Sequence, residues 1–361
     1  MTDIAPPPTD GHDILVSIVN YQSAEPCIRC LESLAEQRAD LPALKVVVAD
    51  GGSPDNSVEI LEKWILDQGY AEWISLLSLG LNGGFGWAHN QVMLRALQSE
   101  HPPEFVHLLN PDTRLEGQAI LALRNAFDRD PQIACVGSQL VNRHGGLQPA
   151  GFHFPNIRTE LARGARVAIL ARLMLAPDPV ILADEAPKYV PALSGASFMV
   201  RVSALRETGL FDDAFFLYFE EIEWMHRIRQ AGWEVLHEPA SRVHHIGGVS
   251  TKLSRDEGEL LQSGRPFYWY QSQRRCLIRT LGTGRAHVAF YLWWLGYVVF
   301  AIPLSFVSPI IRRNLIKDEL SDARRAWREP SPLDRATYAP SVSDPPGADP
   351  AWLSSDKERR P

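Results

Sequence analysis

Phe105-Val106-His107-Leu108-Leu109-Asn110-Pro111-Asp112-Thr113 is an apolar run that ends in a carboxylate. The run has the composition of a buried strand, so Asp112 falls just past a strand terminus. In open α/β sheets ligands collect outside the carboxyl ends of the strands. Mg²⁺ or Mn²⁺ held by one or two carboxylates plus substrate phosphates is the usual means of handling a diphosphate there. Asn110 to Thr113 is equally a good turn, so the stretch gains meaning only from its neighbours.

Two runs of the same kind come earlier. Ile14 to Val19 and Leu44 to Ala49 are apolar and β-branched, and each ends in polar turn residues. Each is followed by helical spacing, at Cys27 to Gln37 and at Ser57 to Asp67. That alternation implies βαβ units and a parallel sheet. Further strands are expected at Trp73 to Leu79 and Ile133 to Leu140, with helices at Trp87 to Leu97 and Gly117 to Asp128. Residues 1–12 read as a disordered leader, and the stretch 329–361, rich in Pro, Ser, Asp and Arg, as a solvated tail. Between them, residues 13–270 are expected to form the α/β domain and 271–328 a helical region.

A chain of 361 residues with 45% hydrophobic and 22% charged side chains can bury a sizeable core. Its net charge of -7 argues against binding a nucleic-acid backbone, which calls for a basic face. Cys27-Ile28-Arg29-Cys30 has redox or half-zinc spacing, but Cys135 and Cys276 stand apart and supply no second pair. The cysteines therefore read as reduced thiols, with Cys27 and Cys30 on the first helix. The N-terminal residues show no basic-then-apolar signal pattern, which makes the cytoplasm the expected location.

Val288 to Ile311 runs without a charge and carries Tyr291, Trp293, Trp294 and Tyr297, but also Pro303 and Pro309. Arg279 and Arg285 precede it, and Arg312, Arg313 and Lys317 follow. The pattern suits a helix lying on an anionic leaflet, with Trp293 and Trp294 at headgroup depth. A full span and a buried core or dimer helix are the other readings.

Five segments bear on chemistry. Asn20-Tyr21 ends the first strand in a pair able to sit against a nucleobase, and Asp50-Gly51-Gly52-Ser53 ends the second in a carboxylate followed by glycines. Asn82-Gly83-Gly84-Phe85-Gly86-Trp87-Ala88-His89-Asn90 is a glycine-rich loop entering a helix, suited to presenting N–H groups to an anion or a sugar. It lacks the Gly-Lys-Ser/Thr of a nucleotide-hydrolysing P-loop, and no Gly-x-Gly-x-x-Gly follows the first strand. Leu193-Ser194-Gly195-Ala196-Ser197-Phe198 places small residues where a substrate could approach the backbone. Phe215-Phe216-Leu217-Tyr218-Phe219-Glu220-Glu221-Ile222-Glu223-Trp224 sets three carboxylates behind an aromatic run. Crowding in a cleft would raise a proton affinity there, although a solvated helix start has the same pattern. His245, in His244-His245-Ile246-Gly247-Gly248-Val249-Ser250, is either a metal ligand or a satisfied core histidine.

In the order and spacing of these segments, from about Ile14 to Trp327, the chain resembles the family 2 glycosyltransferases of GT-A fold, within them the bacterial rhamnosyltransferase-like group. The resemblance implies an α/β GT-A fold with a mostly parallel central sheet, followed by a helical, membrane-associated segment. It makes Asp50 the nucleobase-binding acid, with Asn20, Tyr21, Asn82, Gly83, Gly84 and Asn90 around the nucleotide. Asp112 stands for the surviving carboxylate of Asp-x-Asp and His245 for a second ligand, together holding Mg²⁺ or Mn²⁺. Glu221 stands for the general base, with Gly195, Ala196, Glu220 and Glu223 near the donor or acceptor sugar. Two departures mark the chain: Asn110 replaces the first Asp of Asp-x-Asp, and Glu221 and Glu223 replace aspartates.

The implied reaction is an inverting transfer to a hydroxyl, which needs one base and no protein nucleophile. The donor expected from the resemblance is dTDP-L-rhamnose. The acceptor is a polyprenyl-linked or polysaccharide intermediate of the cell envelope, met at the inner face of the membrane. Alternatives are a UDP-hexose donor and a non-catalytic, membrane-associated sugar-binding scaffold.

Overall fold

The computed structural model describes residues 14–167, 179–245, 264–315, 318–329, 332–334 and 336–353. The leader expected at residues 1–12 and the Ile246 to Ser250 part of the histidine segment lie outside the described residues. Strand and helix alternate from the start: β1 (Ile14–Asn20), α1 (Ala24–Gln37), β2 (Lys45–Asp50), α2 (Ser57–Asp67), β3 (Ile74–Ser78), α3 (Phe85–Leu97) and β4 (Phe105–Leu109). Next come β5 (Thr113–Leu115), α4 (Ala119–Ala126), β6 (Ile133–Val141), β7 (Gly151–Phe152), α5 (Ile157–Ala165), β8 (Val180–Ile181), β9 (Lys188–Tyr189) and β10 (Ser197–Arg201). The sheet is completed by β11 (Glu234–His245), reached through α6 (Val202–Thr208) and α7 (Glu220–Gln230). Each strand and helix expected from the apolar runs is present to within about one helical turn.

The main sheet has the order β3-β2-β1-β4-β10-β6-β11-β5, with β9 also paired to β11. β1 runs parallel to β2 and β4, β2 to β3, and β6 to β11, while β10 runs antiparallel to both of its neighbours. The sheet is therefore mixed but mostly parallel. Its central strands are buried on both faces, which is why they read as unbroken apolar runs. Val16, Ile18, Val46 and Val48 face Leu31, Leu34, Leu61 and Ile65 of α1 and α2. Leu15, Val47 and Ala49 point the other way, against Val92 and Ala96 of α3. A fully buried side chain such as Leu31 or Leu34 contributes about 1.5–3 kcal/mol relative to exposure.

Beyond the sheet lie α8 (Phe267–Leu281), α9 (Thr283–Gly296), a π turn at Tyr297–Ala301, α10 (Ile302–Ser305), α11 (Pro309–Asn314) and α12 (Glu319–Arg328). Thr283–Ser305 is 23 residues long and contains an 18-residue window of mean hydropathy 1.7, long and apolar enough to cross a membrane by length and composition alone. One face packs on α5, so closely that a Cβ added at Gly164 would lie 2.0 Å from the Trp293 carbonyl oxygen. Trp293 is on that face, buried with Phe290 and Tyr297, so it is not the exposed headgroup anchor expected from its sequence neighbourhood. The opposite face leaves Val288, Tyr291, Trp294, Leu295 and Val299 exposed, and Phe306, Val307 and Ile310 continue the apolar surface.

Residues 336–353, expected to be solvated, lie instead against the α/β domain through a series of specific hydrogen bonds. Composition misleads there because all of these bonds but the one from Trp352 Nε1 are made by the segment's backbone carbonyls, which every residue type carries, proline included.

Candidate active site

Strand direction gathers the candidate residues at one edge of the sheet. β1, β2 and β4 end there with Asn20, Asp50 and Leu109, and antiparallel β10 begins there just after Gly195 and Ala196. The Asn110 N–H donates to the Ala196 carbonyl at 2.9 Å, tying the loop after β4 to the loop before β10. The antiparallel register of β11 on β5 sets His245 opposite Thr113, which brings its ring beside Asp112. His245 Nε2 lies 3.5 Å from Asp112 Oδ1 and 3.3 Å from Asn110 Nδ2. Thr113 Oγ1 donates to the Asn110 carbonyl at 2.7 Å and closes the turn. His245 Nδ1 is buried without a hydrogen-bond partner among the described residues, and Asp112 is 7% exposed.

One carboxylate and one imidazole on a turn suit a hard divalent cation whose other positions are filled by phosphate oxygens and water. The residues present fit that role only with a phosphate-bearing substrate, since no group of three His, Cys, Asp or Glu placed to hold a metal ion occurs among the described residues.

α7 starts from two residues in the left-handed region, Tyr218 at φ 72° and Phe219 at φ 70°. Bulky side chains adopt that conformation at a cost, and such strain clusters at functional sites. From there the first turn of α7 brings Glu221 to the Gly195 loop. A Cβ added at Gly195 would lie 3.9 Å from Glu221 Cδ and 3.6 Å from the Phe85 ring, so these three groups meet. Burial pushes the Glu221 carboxyl up to about 7. Glu220 is raised in the same direction, by burial first and by the Glu221 charge second. Its Oε2 has no partner among the described residues, and its Cγ would be 3.6 Å from a Cβ at Gly86.

At the β1 and β2 end, a Cβ on Gly51 would lie 3.7 Å from the Tyr21 ring and 3.8 Å from the Asn82 Cα, so these residues line one slot. Asp50 sits beneath it, fully buried. Its carboxylate accepts from Asn20 Nδ2, from the Ser53 N–H and from Ser53 Oγ, each at 2.8 Å. A carboxylate has about four acceptor positions, so one is left for a ligand donor. Ser53 was not among the residues singled out by sequence, though it directly follows the paired glycines.

Two expected site residues serve the scaffold. Asn90 is fully buried, its amide donating to the Phe211 carbonyl and Asp213 Oδ1 and accepting from the Phe211 N–H. Glu223 is 1% exposed and accepts from Arg227 Nε at 3.1 and 3.0 Å, with Arg279 Nε 3.6 Å away. Helical spacing explains both: Glu223 lies on the face of α7 that turns into the protein, and Asn90 on the buried side of α3. Phe85 was missed as a cleft residue because the glycines around it dominate the reading of that loop. The four cysteines are buried free thiols, and burial raises Cys30 to about 12, which disfavours the reactive thiolate.

Residues 15–209 match the model of glycosyl transferase family 2. The chain belongs to this family. The transferase is 28% identical over 263 residues to N-acetylglucosaminyl-diphospho-decaprenol L-rhamnosyltransferase of Mycobacterium tuberculosis, spanning 70% of this chain and 78% of that one. In fold it is similar to mannosyltransferase PcManGT from Pyrobaculum calidifontis, solved with GDP-Man and Mn²⁺, at 16% identity and a TM-score of 0.50. That match covers 90% of this chain and 77% of the other. It is similar also to GalNAc-T7, solved with UDP, GalNAc and Mn²⁺, at 15% identity and a TM-score of 0.55 over 88% of this chain and 55% of that one. These likenesses establish the GT-A fold of the transferase.

The contrast between Glu221 and Glu223 is testable by stability. Glu223→Gln removes one partner of a buried ion pair and should destabilise the transferase by about 3–5 kcal/mol in denaturant unfolding. Glu221→Gln, which relieves a desolvated carboxyl, should leave stability unchanged or raise it. The reverse ranking would exchange their roles.

Proposed function

We propose that the enzyme transfers a sugar with inversion from a nucleotide-diphosphate donor to a hydroxyl, with Glu221 as the general base. The observation that carries the reading is the convergence of the Glu221 carboxyl, Gly195 and Phe85 in the cleft, with a raised proton affinity suited to base work near neutral pH. The base takes the acceptor proton as the hydroxyl oxygen attacks the anomeric carbon. Tyr21, Gly51 and Asn82 line the slot for the nucleobase, where Asp50 has one acceptor position for a base N–H. Asp112 and His245 would hold Mg²⁺ or Mn²⁺, which when bound supplies positive charge to the departing diphosphate. Asn110 in place of a second carboxylate lowers the charge of that set, so the donor's own phosphates contribute more of the binding.

The mycobacterial relative supports L-rhamnose as the sugar and a polyprenyl-diphosphate-linked saccharide as the acceptor. A lipid-linked acceptor also accounts for the exposed apolar face of α9 to α11. Val288, Tyr291, Leu295 and Val299 recur at helical spacing, with exposed Arg285 before them and Arg312 after them. Such a face with flanking cations suits the inner, anionic leaflet of the cell membrane as a peripheral contact.

Screening dTDP-rhamnose and UDP-hexoses with Mg²⁺ or Mn²⁺ and membrane lipid extract tests the reading, with turnover expected for dTDP-rhamnose. Turnover of a UDP-hexose alone would replace the donor, and none with any donor would favour a non-catalytic scaffold. In the active system Glu221→Gln should retain donor binding and lose transfer by roughly 10²-fold or more. His245→Ala should weaken metal activation about 10- to 100-fold, Asp112→Asn more. An unchanged metal-activation curve would remove both residues from the metal site.

The membrane contact predicts that the enzyme pellets with anionic vesicles and is only partly released by salt, since screening weakens the arginine attraction but leaves apolar burial. Replacing Tyr291 and Leu295 with Ser should weaken the pelleting. Equal recovery in the supernatant with and without vesicles would contradict the contact.

A further inference from the structure

From Ala336 to Asp344 the C-terminal segment runs from α8 across the α/β domain with alternate carbonyls turned toward them. The Ala336 carbonyl accepts from Arg275 Nη2 at 2.8 Å, that of Tyr338 from the Asp213 N–H at 3.2 Å, and that of Pro340 from the Leu210 N–H at 3.1 Å. The Val342 and Asp344 carbonyls both accept from Gln98 Nε2, at 3.0 and 2.7 Å. Every second carbonyl facing one way is the periodicity of an extended chain. The arrangement requires only acceptors from the segment, so its prolines cost it nothing here. Gly347 then turns at φ 95°, its N–H donating to Gln91 Oε1 at 2.6 Å.

The last part of this segment reaches the glycine-rich loop. Trp87 Nε1 donates to the Ala348 carbonyl at 2.8 Å, and Trp352 Nε1 donates to the Gly83 carbonyl at 2.9 Å. The Trp352 ring also meets the Phe216 ring edge to face at 5.1 Å. The same two loops touch directly, the Phe85 N–H donating to the Phe216 carbonyl at 3.2 Å. Space there is minimal. A Cβ on Gly83 would lie 2.1 Å from the Trp87 ring, and one on Gly84 would lie 1.9 Å from the Phe216 carbonyl oxygen. Trp352 therefore bridges the glycine-rich loop and the aromatic loop that ends in Glu220 and Glu221.

We propose that residues 336–353 form a strap whose Trp352 is a positioning residue, holding the Gly83-Gly84 loop in register with the Glu221 loop. The proposal rests on the reading of that loop as part of the donor side of the cleft. Trp352 does not touch the reacting atoms; it acts by fixing a carbonyl of one loop and a ring of the other. Glycines give the loop the close approach it needs but also make it the most deformable backbone at the site, and the strap restrains it from outside.

The test uses the full chain with Trp352→Phe, which keeps an aromatic ring for Phe216 and deletes the Nε1 donor, and a second variant ending at residue 335. Amide hydrogen exchange should quicken in residues 82–86 and 215–219 of both, with α2 unchanged. Donor KM should rise about 2- to 10-fold in Trp352→Phe, the effect of one lost hydrogen bond, with acceptor KM and kcat at saturating donor within about twofold of wild type. Wild-type exchange at both loops in both variants overturns the strap, and if the shortened chain does not fold, Trp352→Phe alone decides. Faster exchange with unchanged donor KM, or equal losses across donor KM, acceptor KM and kcat, overturns the positioning role. A wild-type chain inactive with every donor removes the functional reading instead, and the exchange comparison still decides whether the strap restrains the loops.

Discussion

The backbone ladder between β4 and antiparallel β10 is the constraint on which the site depends. It puts the end of one strand beside the start of another, and the 2.9 Å bond from the Asn110 N–H to the Ala196 carbonyl extends the pairing past both strands. Asp112 and Gly195 are thereby held on adjoining loops although more than eighty residues of sequence separate them. β6 and β11 then continue outward in the β4 direction, so His245 arrives at the same edge as Asp112. A reversed β10 would send Gly195 to the opposite edge and leave Glu221 facing a different surface.

The chemistry depends equally on how the protein treats its acidic groups. Glu223 and Asp212 are buried with arginines, at 3.0 Å for Glu223 with Arg227 and 2.5 Å for Asp212 with Arg275, and so are tied into the scaffold. Glu220 is buried and Glu221 partly buried, neither has an arginine or lysine ion-pair partner among the described residues, and desolvation raises their proton affinity. Asp50 is a third case, a buried carboxylate that accepts from three neutral donors. The same helix therefore carries a carboxylate held by an arginine and carboxylates left without one, separated by which face each occupies.

Much of the fold was legible because buried parallel strands announce themselves as apolar runs; Phe105 to Leu109 coincides with β4, and Ser57 to Asp67 with α2. Asp112, Glu221 and His245, each in a motif that combines a turn with a reactive group, are brought near one end of the sheet. The site was obscured where identity matters less than orientation. Asn90 and Glu223 have the right chemistry in the right neighbourhood, but helical periodicity turns them into the scaffold. Trp293 has the composition of a headgroup anchor and lies on the packed face of α9. The strap was invisible for another reason: apart from the Trp352 indole, its bonds to the rest of the protein are made largely by backbone groups, for which no side-chain pattern exists, and its proline content imitates disorder.

The most direct test of the central claim is the pH dependence of kcat with donor, metal and acceptor all saturating. A base must be ionised to act, and burial places the Glu221 carboxyl at about 7, so kcat should rise about tenfold per unit below that pH and level off above it. The rise should be absent in the residual activity of Glu221→Gln. A wild-type profile that is flat or falling between pH 6 and 8, or one that persists unchanged in the variant, would contradict the assignment of Glu221 as the base.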